Sequence, residues 1–230
     1  MNNMKNLEND STSGTEIEAK YIIRDRETFE SLKSVTRIGR FNLVDGHDVF
    51  FTDYFLDTPD KKIDKAGYYF RERHETGAPE VSFTLKETGS VSGSVHRREE
   101  TIEKCPAGSR PDDIKNPEFR RKLLTLSGNL PLNDLKPVFT MKQKRVFCDF
   151  RDGEELIAVL SFDEVIVSGK EEKDPDLSFF ELEIELAGGG REAHLDEADR
   201  IILEKFGEGK ILPANLSKYG RARFITEEEL

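Results

Sequence analysis

Glu16-Ile17-Glu18-Ala19-Lys20 and Glu181-Leu182-Glu183-Ile184-Glu185 decide the fold of this chain. In both stretches charged and apolar residues alternate, which is the side-chain period of a β-strand and not of a helix. Such a strand turns its carboxylates to one face and its Ile, Ala and Leu to the other. Further segments between them carry charge in the same rhythm: Arg71-Glu72-Arg73, Ser82-Phe83-Thr84-Leu85-Lys86, Arg97-Arg98-Glu99, Lys142-Gln143-Lys144, and Asp163 at the end of an apolar run. An antiparallel sheet with one wet face would also alternate. Here, however, the acidic triplets sit on the first and last segments and Arg and Lys dominate between them. A merely solvated face does not require that sorting, whereas a metal-bound polyphosphate needs both signs of charge. Guanidinium and ammonium groups hold phosphates by charge-assisted hydrogen bonds, and Mg²⁺ or Mn²⁺ takes carboxylate oxygens.

The rest of the sequence frames these strands. Arg24 to Ile38, Asp112 to Ser127 and Arg191 to Phe206 have helical spacing of apolar residues. Asp48 to Asp57, Tyr68 to His74, Glu80 to Lys86, His96 to Glu103, Phe139 to Phe150, Glu155 to Ser168 and Phe179 to Leu186 read as strands with the opening one. Asp152-Gly153 marks a hairpin, Gly89 to Ser94 a mobile hairpin tip, Gly169 to Asp176 a charged loop, and Leu212 to Phe224 a less regular tail. Strands in neighbour-joined groups with short turns favour an antiparallel sheet. The expected architecture is α+β: an eight-stranded antiparallel β-barrel, or tunnel, with a charged interior and helices packed outside. Those helices should cover Ile17, Ala19, Tyr21, Phe83, Leu85, Leu182, Ile184 and Leu186.

Composition narrows the function. The 230 residues suit one domain; 36% are hydrophobic and 35% charged, which suggests a partly wet interior. The excess of 46 acidic over 35 basic residues, a net charge of −11, argues against nucleic acid and anionic membranes as partners. A phosphate ligand must then meet a local basic cavity. Cys105 and Cys148 alone make neither a disulfide framework nor a zinc site, and fit a cytoplasmic protein with reduced thiols. Residues 1–14 read as a disordered tail before a domain at 15–226, and no apolar run reaches the roughly 18 residues of a membrane span. The four histidines lack triad or metal-ligand spacing, and Gly188-Gly189-Gly190 reads as a turn.

With these segments in order, the chain resembles the CYTH or triphosphate tunnel metalloenzyme superfamily, which includes class IV adenylate cyclases, thiamine triphosphatases and inorganic tripolyphosphatases. The resemblance rests on Glu16-x-Glu18-x-Lys20, Phe55-Leu56-Asp57-Thr58-Pro59, Phe70-Arg71-Glu72-Arg73, Thr84-Leu85-Lys86, an Arg-x-Glu run, Phe162-Asp163-Glu164-Val165, the second Glu-x-Glu run and Ser217-Lys218-Tyr219. It implies that Lys20, Arg71, Arg73, Lys86, Arg97, Lys142 and Lys144 grip phosphates, with Lys218 closing one end. Glu16, Glu18, Asp163, Glu183 and Glu185 would hold Mg²⁺ or Mn²⁺, and Glu16, Glu18, Lys20 and Lys86 would stand closest to the chemistry. Two registers are open. The Arg-x-Glu pair is Arg97 with Glu99 or Arg98 with Glu100; placing Ile102 outward favours the first. Lys144 competes with Arg145, and placing Phe139 and Met141 outward favours Lys142 and Lys144. The expected activity is metal-dependent hydrolysis of tripolyphosphate or an organic triphosphate such as thiamine triphosphate. Cyclisation of ATP, or polyphosphate binding without turnover, are the alternatives, in a monomer or homodimer.

Overall fold

The computed structural model describes residues 11–168, 177–207 and 209–227. In chain order the elements are β1 (Ser11–Ile23), α1 (Arg26–Lys33), β2 (Arg37–Ile38), β3 (Phe41–Asp57), α2 (Lys62–Lys65), β4 (Tyr68–Glu75), β5 (Glu80–Glu87), β6 (Ser90–Ser92), β7 (Val95–Pro106), α3 (Pro117–Leu126), β8 (Lys136–Asp152), β9 (Glu155–Ser168), β10 (Leu177–Leu186), α4 (Glu192–Phe206), β11 (Ile211–Pro213) and α5 (Lys218–Glu227). Eight of the strands form a ring in the order β1-β10-β9-β8-β3-β4-β5-β7, and β7 pairs back onto β1. Every neighbouring pair is antiparallel. Short β2, β6 and β11 attach to β3, β7 and β1. The eight-stranded tunnel is therefore the architecture of this chain.

Alternation sends each strand's two faces into different media. The apolar face of β1, β9 and β10, with Ala19, Tyr21, Leu160, Phe162, Leu182 and Ile184, packs against Phe29 and Leu32 of α1 and Leu195, Ala198 and Ile202 of α4. A second cluster seats Phe70, Phe83 and Leu85 under Phe119 and Leu123 of α3. Local chemistry fixes the helices: the Asp25 carboxylate accepts from Thr28 N at 2.7 Å, and Asn116 caps α3 by accepting from Glu118 N and Phe119 N, both at 3.0 Å, with Pro117 opening the helix.

A third cluster lies on the other side of the sheet. Phe55, Tyr69, Phe139, Met141, Val165 and Val167 gather beneath Tyr219 and Ala222 of α5. Tyr219 stacks on Tyr69 with ring centres 4.8 Å apart. One end of the tunnel interior is thus apolar and closed by a helix.

Three boundaries differ from the sequence reading. Ser11 to Gly14, expected in the tail, extend β1 and pair with Glu100 to Glu103, while residues 1–10 lie outside the described residues. The expected irregular tail contains β11 and α5. The expected mobile tip carries β6, and Lys20 N donates to Ser94 O at 2.9 Å. The charged loop Gly169 to Asp176 lies outside the described residues.

Candidate active site

The inward face of the ring encloses a cavity of about 180 Å³. Seven cations (Lys20, Arg71, Arg73, Lys86, Arg98, Arg145, Lys218) and six carboxylates (Glu16, Glu18, Asp53, Glu100, Glu183, Glu185) line it. Strand pairing puts them there: Glu18 lies opposite Glu185, Lys20 opposite Glu183, Glu16 opposite Arg98, Lys86 opposite Glu100, and Asp53 opposite Arg73.

The acidic wall is built by β1 and β10. One oxygen each from Glu16, Glu18 and Glu185 can be chosen so that all lie within 4.8 Å of one another. Burial, followed by the charges of Glu16 and Glu18, pushes the Glu185 carboxyl up to about 7. Burial also raises Glu18, against the pull of Lys20. Burial works the same way on Glu16, but the Lys86 and Lys20 ammonium groups outweigh it and hold Glu16 below its usual value. An all-oxygen cluster in which Glu16 raises Glu18, and both raise Glu185, fits a hard divalent cation. Lys20 Nζ sits 2.9 Å from Glu18 and contacts Glu183; burial opposes its charge, yet the two carboxylates hold it above the ordinary lysine range.

The basic wall comes from β3, β4 and β8, across the ring. Arg73 makes a bidentate pair with Asp53, both bonds at 2.7 Å, and Gln143 Nε2 donates to the same carboxylate at 2.5 Å. Arg71 reaches Asp53 only at 3.9 Å and donates to Thr84 Oγ1 at 3.2 Å, and its buried Nε finds no acceptor among the described residues. Two guanidiniums therefore share one carboxylate. Burial and then Arg71 push the Arg73 pKa down, against the pull of Asp53. An added anion would relieve this wall, as a metal would relieve the other.

Between the walls, Arg145 donates to both oxygens of Asp163 and to Glu183, each at 2.6 Å. Lys218, from the first turn of α5, reaches Asp163 and Glu181 at 2.8 Å and Glu183 at 2.5 Å. Burial would raise the Glu183 carboxyl, but Lys20, Lys218 and Arg145 hold it well below the usual range. The five carboxylates expected to hold metal thus divide: Glu16, Glu18 and Glu185 meet, the first two also paired with Lys86, Lys20 and Arg98, whereas Asp163 and Glu183 lie outside that group and pair with Arg145 and Lys218.

Three expected phosphate ligands face outward. Arg97 pairs with Glu192 on α4, and Arg98 takes the inward position, donating to Glu18 at 2.5 Å. Lys144 pairs with Asp48 at 3.2 Å with its side chain 41% exposed, Lys142 is exposed, and Gln143 and Arg145 point inward. Both inversions have one cause: Ile102 and Met141 line the cavity and Phe139 packs with its apolar end, so apolar character does not mark the outer face there. Asp53, Gln143 and Glu181 are inward groups to which the sequence reading gave no role, and Glu100 belongs with Arg98 to the register it disfavoured. Glu181 was visible as the first member of its alternating triplet; Asp53 is a lone acid amid Phe50, Phe51, Tyr54 and Phe55.

The CYTH domain model matches residues 14–218. The chain belongs to the CYTH family. No curated protein matches it in a sequence search. Among solved structures, it is similar to a Hippeastrum protein described as an adenylyl cyclase candidate with a dominant triphosphatase activity: TM-score 0.69 at 16% identity, covering 92% of this chain and 96% of that one. A proposed adenylate cyclase from Bacillus halodurans gives TM-score 0.59 at 21% identity, covering 90% and 98%. A Pyrococcus horikoshii protein gives 0.51 at 18%, covering 90% and 99%. These likenesses fix the CYTH fold. Among the described residues no helix is long and apolar enough to cross a membrane.

Proposed function

We propose that the chain is a divalent-metal-dependent triphosphatase acting on inorganic tripolyphosphate or an organic triphosphate. The observation that carries this reading is the polarity of a single hollow. Glu16, Glu18 and Glu185 crowd on one wall, and Arg71 and Arg73 share Asp53 on the wall across the ring. Glu16, Glu18 and Glu185 would hold Mg²⁺ or Mn²⁺, which when bound supplies Lewis-acid polarisation of a phosphoryl oxygen and acidifies water.

The chain's own residues do the remaining work by position and charge, which is most of what phosphoryl transfer asks of a protein. Arg71, Arg73 and Arg145 would bind the phosphate chain along the basic wall. Arg98 and Lys86, already tied to Glu18 and Glu16, would bridge the phosphate to the acidic wall. Lys20 and Lys218 would hold Glu183 ionised and fix the charge at the far end. The triphosphatase activity described for the Hippeastrum neighbour is of the same class.

A substrate panel tests the reading: tripolyphosphate, ATP, thiamine triphosphate and pyrophosphate, each with Mg²⁺ and with Mn²⁺, scoring orthophosphate and pyrophosphate separately. Orthophosphate released from a triphosphate only with metal is the expected result. Release of pyrophosphate from ATP with formation of a cyclic nucleotide would move the assignment to a cyclase, and no metal-dependent product from any substrate would refute the catalytic reading.

A further inference from the structure

Gly89 follows β5 and stands across from Arg98, one step beyond the Ser90–Arg97 pair of the β6–β7 ladder. Its φ of 70° lies in the left-handed region. A β-carbon there would collide with Arg98 Cγ and lie 2.5 Å from the Arg97 carbonyl oxygen and 3.0 Å from Arg98 Cδ. The bare glycine backbone is thus the surface on which the stem of Arg98 rests. The arginine side chain is 1% exposed, and its guanidinium ends 2.5 Å from Glu18 and 4.0 Å from Glu16. Among the described residues its Nε has no hydrogen-bond partner, so Arg98 keeps donor capacity for an incoming anion.

We infer that Gly89 is a positioning residue for the triphosphate: the missing side chain in this hairpin sets Arg98 where it can hold Glu18 and a phosphate together. The inference rests on the proposed phosphate-binding role of the tunnel. Gly93, at the other end of β6, supplies a matched control. It too has a positive φ, 61°, but a β-carbon there meets nothing within 4 Å. Alanine at either position carries the backbone cost of a left-handed conformation; only at position 89 does it also strike Arg98 and crowd the Arg97 carbonyl oxygen.

The experiment compares Gly89→Ala with Gly93→Ala by calorimetric titration of each folded protein with tripolyphosphate in EDTA, and by a crystal structure of Gly89→Ala. Losing one charge-assisted contact predicts roughly 10- to 100-fold weaker tripolyphosphate binding for Gly89→Ala. Gly93→Ala should stay within about twofold of wild type. Adding Gly89→Ala to Arg98→Ala should weaken binding no further, because the contact it disturbs is already gone. Equal losses in the two glycine variants, or full additivity with Arg98→Ala, would overturn the inference. Should wild-type protein fail to bind tripolyphosphate, the phosphate reading of the tunnel falls, and the crystal structure judges the positioning alone: Arg98 moved off Glu18 supports it, and an unmoved contact rejects it.

Discussion

Replacing Arg145 by lysine should damage the site far more than removing Lys144 altogether, although the two are adjacent and both cationic. Arg145 makes three contacts of 2.6 Å, two to Asp163 and one to Glu183, and its side chain is 11% exposed. A lysine preserves the charge but not the planar fork, so it forfeits one or two charge-assisted hydrogen bonds worth about 1.5–3 kcal/mol each. Triphosphate binding should weaken about 10- to 100-fold, and the denaturation midpoint should fall. Arg145→Ala is less informative, because it leaves Asp163 and Glu183 to Lys218 and Lys20 alone, and breaking a buried pair costs up to about 3–5 kcal/mol against a typical total stability of about 5–15 kcal/mol. Lys144 forms a half-exposed pair with Asp48, worth at most about 1 kcal/mol, so Lys144→Ala should leave KM unchanged. The assay pairs urea denaturation with steady-state hydrolysis of the best substrate in the panel. Wild-type KM and stability in Arg145→Lys, together with a tenfold loss in Lys144→Ala, would show that β8 has the opposite facing.

Glu18→Gln should reduce metal-dependent turnover by at least about 100-fold and weaken Mn²⁺ binding in a direct titration, with stability lowered by only about 1–3 kcal/mol because the amide oxygen still accepts from Arg98; full turnover would remove Glu18 from the metal group. His96 is 1% exposed and its Nε2 lies 2.7 Å from Ala214 O. Burial drives its pKa from 6.5 down to about 4, so between those values the unfolded chain takes up a proton that the folded chain refuses, and stability falls as pH drops. His96→Gln should flatten that limb by up to roughly 3 kcal/mol; parallel stability curves from pH 4 to 6.5 would contradict it. Tyr219→Ala removes a ring packed on Phe55, Tyr69 and Phe139 and should cost about 3–5 kcal/mol while raising KM through a loosened Lys218. A thermal midpoint within a degree of wild type would show that α5 closes nothing.

Period-two alternation made the ring legible, because β1, β5 and β10 separate charge from hydrocarbon almost without exception. It also sorted Glu16, Glu18, Lys20, Arg71, Arg73, Lys86, Glu183 and Glu185 correctly to the inside. The errors on β7 and β8 have a physical origin. The rule equating apolar with outward fails where Phe139, Met141 and Ile102 face inward. Counting from the hairpin would have misled as well. Asp152 pairs with Glu155 and Arg151 with Leu156, a register that would place Lys144 opposite Asp163. A bulge between Phe150 and Arg151 shifts the pairing by one, and Arg145 takes that place. α5 escaped notice because its helical face is short and its work is done by two residues, Lys218 and Tyr219, that reach into the hollow from outside the sheet.

Ring closure by β1 has a consequence for synthesis. Lys20 and Glu183, joined in the finished protein, are separated by 163 positions, and the first strand needs partners on β7, β10 and β11. During translation one edge can pair once β7 has emerged, but the edge that meets β10 must wait unzipped until Leu186 is out, and such distant pairings form slowly. Its Glu-x-Glu-x-Lys pattern repels premature zippering with greasy neighbours or with a second nascent copy. The same charges that would later seize the cation thus keep an orphaned edge safe while the protein is still being made.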